Sequence, residues 1–182
     1  MSETYLPVSS NKIGEAVEAL GTSGADAVLI SLVGQDAVVF NRLFGGMKLH
    51  SRIFRLSCVI EENGLLASGA RNLDRLFSSA SYFAGLDTTR NAEFRAKYHS
   101  LHQERAPMLN TLGQSTYEGL HFLASLVNQP DQDWRLQRMR ASKPIIYKSA
   151  RRGFYTNNAC TTSPVFVARA NGFVFDDLQR LP

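Results

Sequence analysis

The chain has 182 residues, 44% of them hydrophobic and 20% charged, with 20 Lys and Arg against 16 Asp and Glu. At roughly 100–200 residues per domain this length fits one domain, or one and part of another, and the apolar content excludes wholesale disorder. No apolar run approaches the ~20 residues that cross a bilayer, so no membrane insertion is expected.

The first twelve residues, MSETYLPVSSNK, lack the basic and apolar regions of a signal peptide. The expected location is therefore cytoplasmic for the chain as written, or periplasmic if an exported segment has been lost upstream. Cys58 and Cys160 form no CxxC pair and set no disulfide framework; two buried or idle thiols are expected. The charge is local. Between Trp134 and Phe175 stand eight basic residues and no acid, whereas the remainder holds 12 basic and 16 acidic residues.

In chain order, Ser9, Ser10 and Asn11 are N-cap candidates. Ile13, Ala16, Val17 and Leu20 then recur at helical spacing, with Gly21 as the stop. Ala27 to Val33 is a continuous apolar run, as expected of a strand buried on both faces. Phe40, Leu43 and Phe44 mark a second helix stopped by Gly45 and Gly46. Ile53 to Ser57 is a second short strand. Glu61 and Glu62 stand where acids favour a helix start, Gly69 ends that helix, and Leu76 to Phe83 is a third strand. This β-α-β-α-β order predicts a parallel sheet wrapped by helices.

After a composition shift at Leu86 to Asn91 the chain changes character. Phe94, Tyr98 and Leu101 mark one helix; Tyr117, Leu120, Ala124 and Val127 mark another. A shorter helix is expected from Asp131 to Met139, and Val165 to Ala170 with Phe173 to Phe175 reads as a hairpin around Asn171-Gly172. The predicted domains are residues 1–86, an α/β lobe, and residues 87–182, helices and strands.

The catalytic motifs are missing. There is no GxxxxGK[ST] phosphate loop and no GxGxxG after a strand. The GQSTY at Gly113 to Tyr117 lacks the last glycine of a nucleophile elbow. His99 and His102 share a helix but have no third metal ligand in view. No catalytic residue, metal or cofactor is expected. The stretch from Trp134 to Arg169 interleaves Tyr147, Phe154 and Tyr155 with basic residues, which leaves single-stranded nucleic acid as an alternative partner.

In open α/β sheets ligands sit outside the carboxyl ends of the strands. Those ends are Val33-Gly34-Gln35-Asp36, Ser57-Cys58-Val59-Ile60-Glu61 and Ser81-Tyr82-Phe83. The candidate ligand-binding residues are Val33, Gln35, Asp36, Ser57, Cys58, Glu61 and Tyr82. They offer a carboxamide, two carboxylates, a hydroxyl, a phenol and helix N-terminal amides, a set suited to a small polar ligand. Tyr82 is expected to face the ligand and Phe83 to point the other way, since strand side chains alternate.

Tyr5-Leu6-Pro7, Gly34 with Asp36 and Phe40 after a strand, Glu61-Glu62, and then Tyr82-Phe83, Leu86-Asp87-Thr88 and Asn91-Ala92-Glu93-Phe94 form a pattern. It resembles the second half of type I periplasmic binding proteins. The branch it is most similar to binds short-chain amides and urea. That branch includes the amide-sensing negative regulator of the aliphatic amidase operon and the urea-binding components of ABC transporters. Ala168 to Phe175 is similar to the family's closing strand pair.

The resemblance implies one αβα three-layer lobe, with further helices and a C-terminal β-hairpin belonging to an incomplete first lobe, and a ligand held between two lobes. It implies a non-enzymatic amide- or urea-binding module, an amide-sensing transcriptional regulator or a truncated form of one. The alternative is the substrate-binding component of an ABC transporter for urea, amides or branched-chain amino acids. The implied partners are a small polar ligand, a missing first lobe or second chain, an RNA-binding antiterminator or an ABC permease, and a second copy through self-association.

Overall fold

A computed structural model describes residues 2–128, 146–151, 154–156 and 163–181. The helix expected at Asp131 to Met139, Cys160 and most of the basic stretch lie outside the described residues. The chain divides into two compact units, Met1–Ala80 with Phe166–Pro182, and Ser81–Val165.

The first unit is a mixed α/β lobe. Its elements are α1 (Ile13–Thr22), β1 (Ala27–Ile30), α2 (Gly34–Gly46), β2 (Phe54–Ser57), α3 (Glu62–Ser68), β3 (Leu76–Ala80), β6 (Phe166–Asn171) and β7 (Val174–Arg180). The strand order is β1-β2-β3-β6-β7. The first three strands are parallel, and the β6–β7 hairpin adds antiparallel to β3, with Ser78 opposite Ala168. This corrects the expectation that the C-terminal hairpin belongs to the other lobe. The hairpin itself forms as read, turning at Gly172 with φ +62°.

α1 begins at Ile13 without a side-chain cap; Ser10 Oγ instead accepts the Lys12 amide at 3.1 Å. Gly21 does not stop it. It lies inside the helix, beside Leu49 and Met47. Ile13 and Val17 pack with Ile30, Phe40, Phe44, Leu49 and Ile53 into one apolar cluster. At Gly45 a side chain would strike Asn72, so the glycine lets α2 run close against the turn Ala70–Asn72.

The side chains of β1, β2, β3 and β6 alternate between two faces, and one of the two is covered. Ile30, Arg55, Ser57, Leu76, Ser78, Phe166 and Ala168 are buried on the helix side. On the other face Leu29, Phe54 and Leu56 are 67%, 46% and 40% exposed. β1 is thus an edge strand with one bare face, and not buried on both faces as its composition implied. Among the described residues the helices of this unit, α1, α2 and α3, pack together on the covered face. The crossovers β1-α2-β2 and β2-α3-β3 run the same way along the sheet, and right-handed crossovers of one direction lie on one side.

Sequence reading missed a buried arginine. Arg55, on the covered face of β2, is fully buried. Its guanidinium lies 4.3 Å from the Phe44 ring centroid, donates to Asn41 Oδ1 at 2.6 Å and to the Asp74 carbonyl at 2.6 Å. Burial lowers its pKa to about 10, with the charge of Asp74 pulling the other way.

The second unit holds α4 (Thr89–His102), α5 (Thr111–Val127) and the short antiparallel pair β4 (Ile146–Lys148) and β5 (Phe154–Thr156). Thr88 and Asn110 cap the two helices, accepting the amides of Asn91 and Gly113 at 3.0 and 2.8 Å. Phe94 gathers the rings of Tyr82, Tyr98 and Tyr117 around it, at 6.4, 6.3 and 4.8 Å between centroids.

α5 buries a polar stripe. Glu118 accepts from Ser149 Oγ and the Ala150 amide, both at 2.7 Å. The Arg151 guanidinium reaches Gln114 Oε1, Ser115 Oγ, the Thr111 carbonyl and Ser81 Oγ. Leu112, Leu120 and Leu123 of the same helix are exposed.

Candidate functional site

The candidate site is the carboxyl edge of the parallel strands in the first unit. Ile30 and Ser57 are register partners, so β1 and β2 end level, while β3 runs two residues past Ser78, the partner of Ser57, to Ala80. The chain leaves β1 through Ser31, Leu32 and Val33, the extended N-cap of α2, and enters the helix at Gly34 with φ +57°. A side chain at that positive φ would be strained, so glycine permits the sharp entry. It leaves β2 through Cys58 to Glu61, the extended N-cap of α3.

Gln35 is exposed in the first turn of α2, and Val33 beside it is half-exposed. Asp36 is already engaged: its Oδ2 accepts the Ser9 amide at 2.7 Å. It therefore ties the N-terminal segment to α2. Ser57 is buried, and its Oγ accepts the amides of Val59 and Ile60 at 3.2 Å each, shaping the turn that leads to α3. Ser78 Oγ donates to the Ile60 carbonyl at 2.7 Å and anchors the same turn to β3. Cys58 is a free, exposed thiol. Glu61 is half-exposed and makes no side-chain capping bond.

The edge thus presents Val33, Gln35, Cys58 and Glu61 outward, while Asp36 and Ser57 hold the edge itself. No lysine or arginine occurs in residues 31–36 or 57–63. The set combines a carboxamide, which donates and accepts, a carboxylate, which accepts, and the unpaired amides of a helix start.

Tyr82 does not join them. β3 ends at Ala80, so Tyr82 lies beyond the strand and in the second unit. It is 1% exposed, and its hydroxyl donates to Asn91 Oδ1 at 2.9 Å. Asn91 Nδ2 in turn bonds the carbonyls of Ala84 and Leu86 at 3.0 and 2.8 Å, and Phe83 is buried as well. The expectation that alternation would turn Tyr82 outward and Phe83 inward fails because the strand stops two residues earlier. Tyr82, Leu86, Thr88, Asn91 and Phe94, the block that carries much of the family pattern, build the start of the second unit.

Among the described residues no group of three His, Cys, Asp or Glu side chains is placed to hold a metal. His102 packs against Tyr98 with the rings tilted, at 4.6 Å between centroids. Ser115 of the GQSTY segment lies within α5, where its Oγ donates to the Thr111 carbonyl at 2.7 Å. A basic groove lined by Arg42, Lys48, His50 and Arg71 lies at the C-terminal ends of α2 and α3. Arg42 Nε donates to the Ala67 carbonyl at 3.0 Å there, the usual pairing of cations with helix C-termini. No described helix is long and apolar enough to cross a membrane.

The fold matches solved solute-binding proteins. One is the solute-binding protein of an ABC transporter from Rhodopseudomonas palustris HaA2 in complex with p-hydroxybenzoic acid. Its TM-score is 0.74 and its identity 18%, over 96% of this chain and 50% of that one. A second, from Rhodopseudomonas palustris BisB5 with 3,4-dihydroxybenzoic acid, gives 0.71 and 16%, over 96% and 50%. The branched-chain amino acid transporter substrate-binding protein LivJ of Streptococcus pneumoniae, with isoleucine, gives 0.72 and 10%, over 92% and 47%. The chain spans about half the length of these structures. No curated protein sequence matches it. The model of the periplasmic binding protein family matches residues 1–174, nearly the whole chain. On that match, and on a fold shared with solved members of the type I class, this chain belongs to the type I periplasmic binding protein family.

Proposed function

We infer that this protein is the ligand-capturing component of an ABC-type uptake system, or a part of one, and that its ligand is a small neutral amide or urea. The observation that carries the reading is the level carboxyl edge of β1 and β2, where Gln35, Cys58 and Glu61 stand beside the start of α2. A neutral amide has N–H groups for Glu61 and a carbonyl for the helix amides. An aromatic acid or an amino acid brings a carboxylate, which this edge, without a lysine or arginine in residues 31–36 and 57–63, would meet with Glu61. The transporter role is favoured over a transcriptional regulator because the solved relatives are ABC-transporter solute-binding proteins. The role is binding, not catalysis. Members of this kind shift between states of different ligand affinity, and the ligand populates the tighter one.

Backbone amide shift mapping tests the reading, since it registers binding on the order of millimolar Kd or weaker. Acetamide, butyramide and urea should move the amides of residues 33–36 and 57–62, and Gln35→Ala or Glu61→Ala should weaken those shifts. Stronger shifts with p-hydroxybenzoate or isoleucine, or shifts clustered elsewhere, would replace this ligand class.

A further inference from the structure

We propose that the basic groove at the C-terminal ends of α2 and α3 is a second binding site, for a small phosphate-type dianion. It stands apart from the proposed amide-binding edge. α2 and α3 start at the carboxyl ends of β1 and β2 and run back along the sheet, so the groove lies toward the opposite end of the strands. Its charge comes from Arg42 of α2, Lys48 just after that helix, His50 in the turn Leu49–Ser51 and Arg71 in the turn Ala70–Asn72. Among the described residues no carboxylate lines it.

Cations beside helix C-termini ordinarily serve the last carbonyls. Here other groups serve them. The Leu43 and Gly45 carbonyls accept the amides of Met47 and Lys48 at 2.9 and 3.0 Å, and the Leu65 carbonyl accepts that of Gly69 at 3.0 Å. The Ser68 carbonyl accepts Asn72 Nδ2 at 2.8 Å, and the Ala67 carbonyl takes Arg42. The side chains of Lys48 and Arg71 are left without a hydrogen-bond or ion-pair partner among the described residues. Lys48 also adopts the left-handed conformation, φ +55°, directly after α2, where glycine is the usual residue. A cationic side chain is carried there against its backbone preference.

Two further groups of the lining call for an acceptor. His50 Nδ1 and Ser68 Oγ are buried and have no hydrogen-bond partner among the described residues, and Ser68 is 1% exposed. A buried polar group left unpaired costs stability, so a ligand that pairs it gains that cost back. Both can donate: a hydroxyl hydrogen turns to the acceptor that arrives, and Nδ1 carries a proton in one neutral tautomer and in the imidazolium. Three cations and two such donors exceed what a carboxylate meets with one charge and two oxygens. A phosphate group meets them with about two charges and at least three acceptor oxygens, and the arginine fork matches its geometry.

Backbone amide shift mapping of the full chain tests this, with inorganic phosphate, glycerol 3-phosphate and, at matched ionic strength, chloride. Phosphate, its ester or both should give saturating shifts at residues 46–50 and 67–72 that chloride does not. Residues 33–36 and 57–62 should stay unmoved, so this site and the amide-binding edge are judged separately. Arg71→Gln and Lys48→Asn, both at exposed side chains, should each weaken phosphate binding roughly threefold to tenfold. Ser68→Ala should also weaken it yet melt as the parent does, since the hydroxyl pairs with nothing else among the described residues. Shifts that chloride reproduces, or that all three variants leave unchanged, would overturn the proposal. So would retention on phosphatidic acid vesicles with no saturation by either soluble phosphate, which would make the groove a lipid-headgroup surface.

Discussion

Tyr82 and Asn91 hold each other in the interior of the second unit, hydroxyl to carboxamide oxygen at 2.9 Å, with neither side chain open to solvent. The pair is a structural clamp at the head of α4. Tyr82→Phe should lower stability by about 1 kcal/mol, the net worth of a buried hydrogen bond. Asn91→Ala should cost more, because the Ala84 and Leu86 carbonyls then lose their donor as well. Urea denaturation measures both. Ligand-induced shifts at residues 33–36 should be unchanged in Tyr82→Phe; their loss would return Tyr82 to the binding site.

Arg55 makes a pH prediction whose sign follows from its buried guanidinium. Burial lowers its folded pKa to about 10, below the ordinary guanidinium value that the unfolded chain keeps. Between those values the unfolded chain binds more protons than the folded one, so stability rises with pH in that window and is insensitive to Arg55 below it. The difference between the parent and Arg55→Met should therefore be flat from about pH 6 to 9 and move in favour of the parent above about pH 10. Arg55→Ala, which also leaves a cavity beside Phe44, should cost about 3 kcal/mol or more. Chemical denaturation at pH 8 and at pH 10.5 reads both effects.

Residues 1–182 alone should bind urea and short amides weakly. Gln35 and Cys58 are exposed and Glu61 is half-exposed, so a ligand on this edge keeps much of its hydration. Even an ideal site yields at most about −1.5 kcal/mol per heavy atom, and such ligands have few. Isothermal titration with acetamide, butyramide and urea should show no micromolar binding. A micromolar Kd would mean that the edge is enclosed in solution.

Hydrogen exchange should separate the two units. β2 is paired on both sides and sits over the Phe44 and Ile53 core, so amides of residues 54–57 should be the slowest. α4 and α5 cover little apolar surface with Leu101, Leu112, Leu120 and Leu123, and their amides should exchange through smaller openings. Equal protection in both units of a monomer would show that the second unit has a complete core of its own.

Period and composition alone determined much of this protein. Ile13, Val17 and Leu20 at helical spacing, the short apolar strands at Ala27, Ile53 and Leu76, and the Asn171-Gly172 turn each carry a local signal, because side-chain periodicity and turn chemistry act within a few residues. Those signals were enough for the α/β lobe and for the edge bearing Gln35, Cys58 and Glu61. Tertiary structure decided what depends on distant partners. An apolar strand reads alike whether one face or two are covered, so β1 as an edge strand was visible only with its neighbours in place. Arg55 is buried by Asn41, Phe44 and Asp74, and the polar stripe of Gln114 and Glu118 by Ser149 to Arg151, more than thirty residues away. Tyr82 turned inward because β3 stops at Ala80, where the chain leaves the sheet for the partner that decides the matter, Asn91.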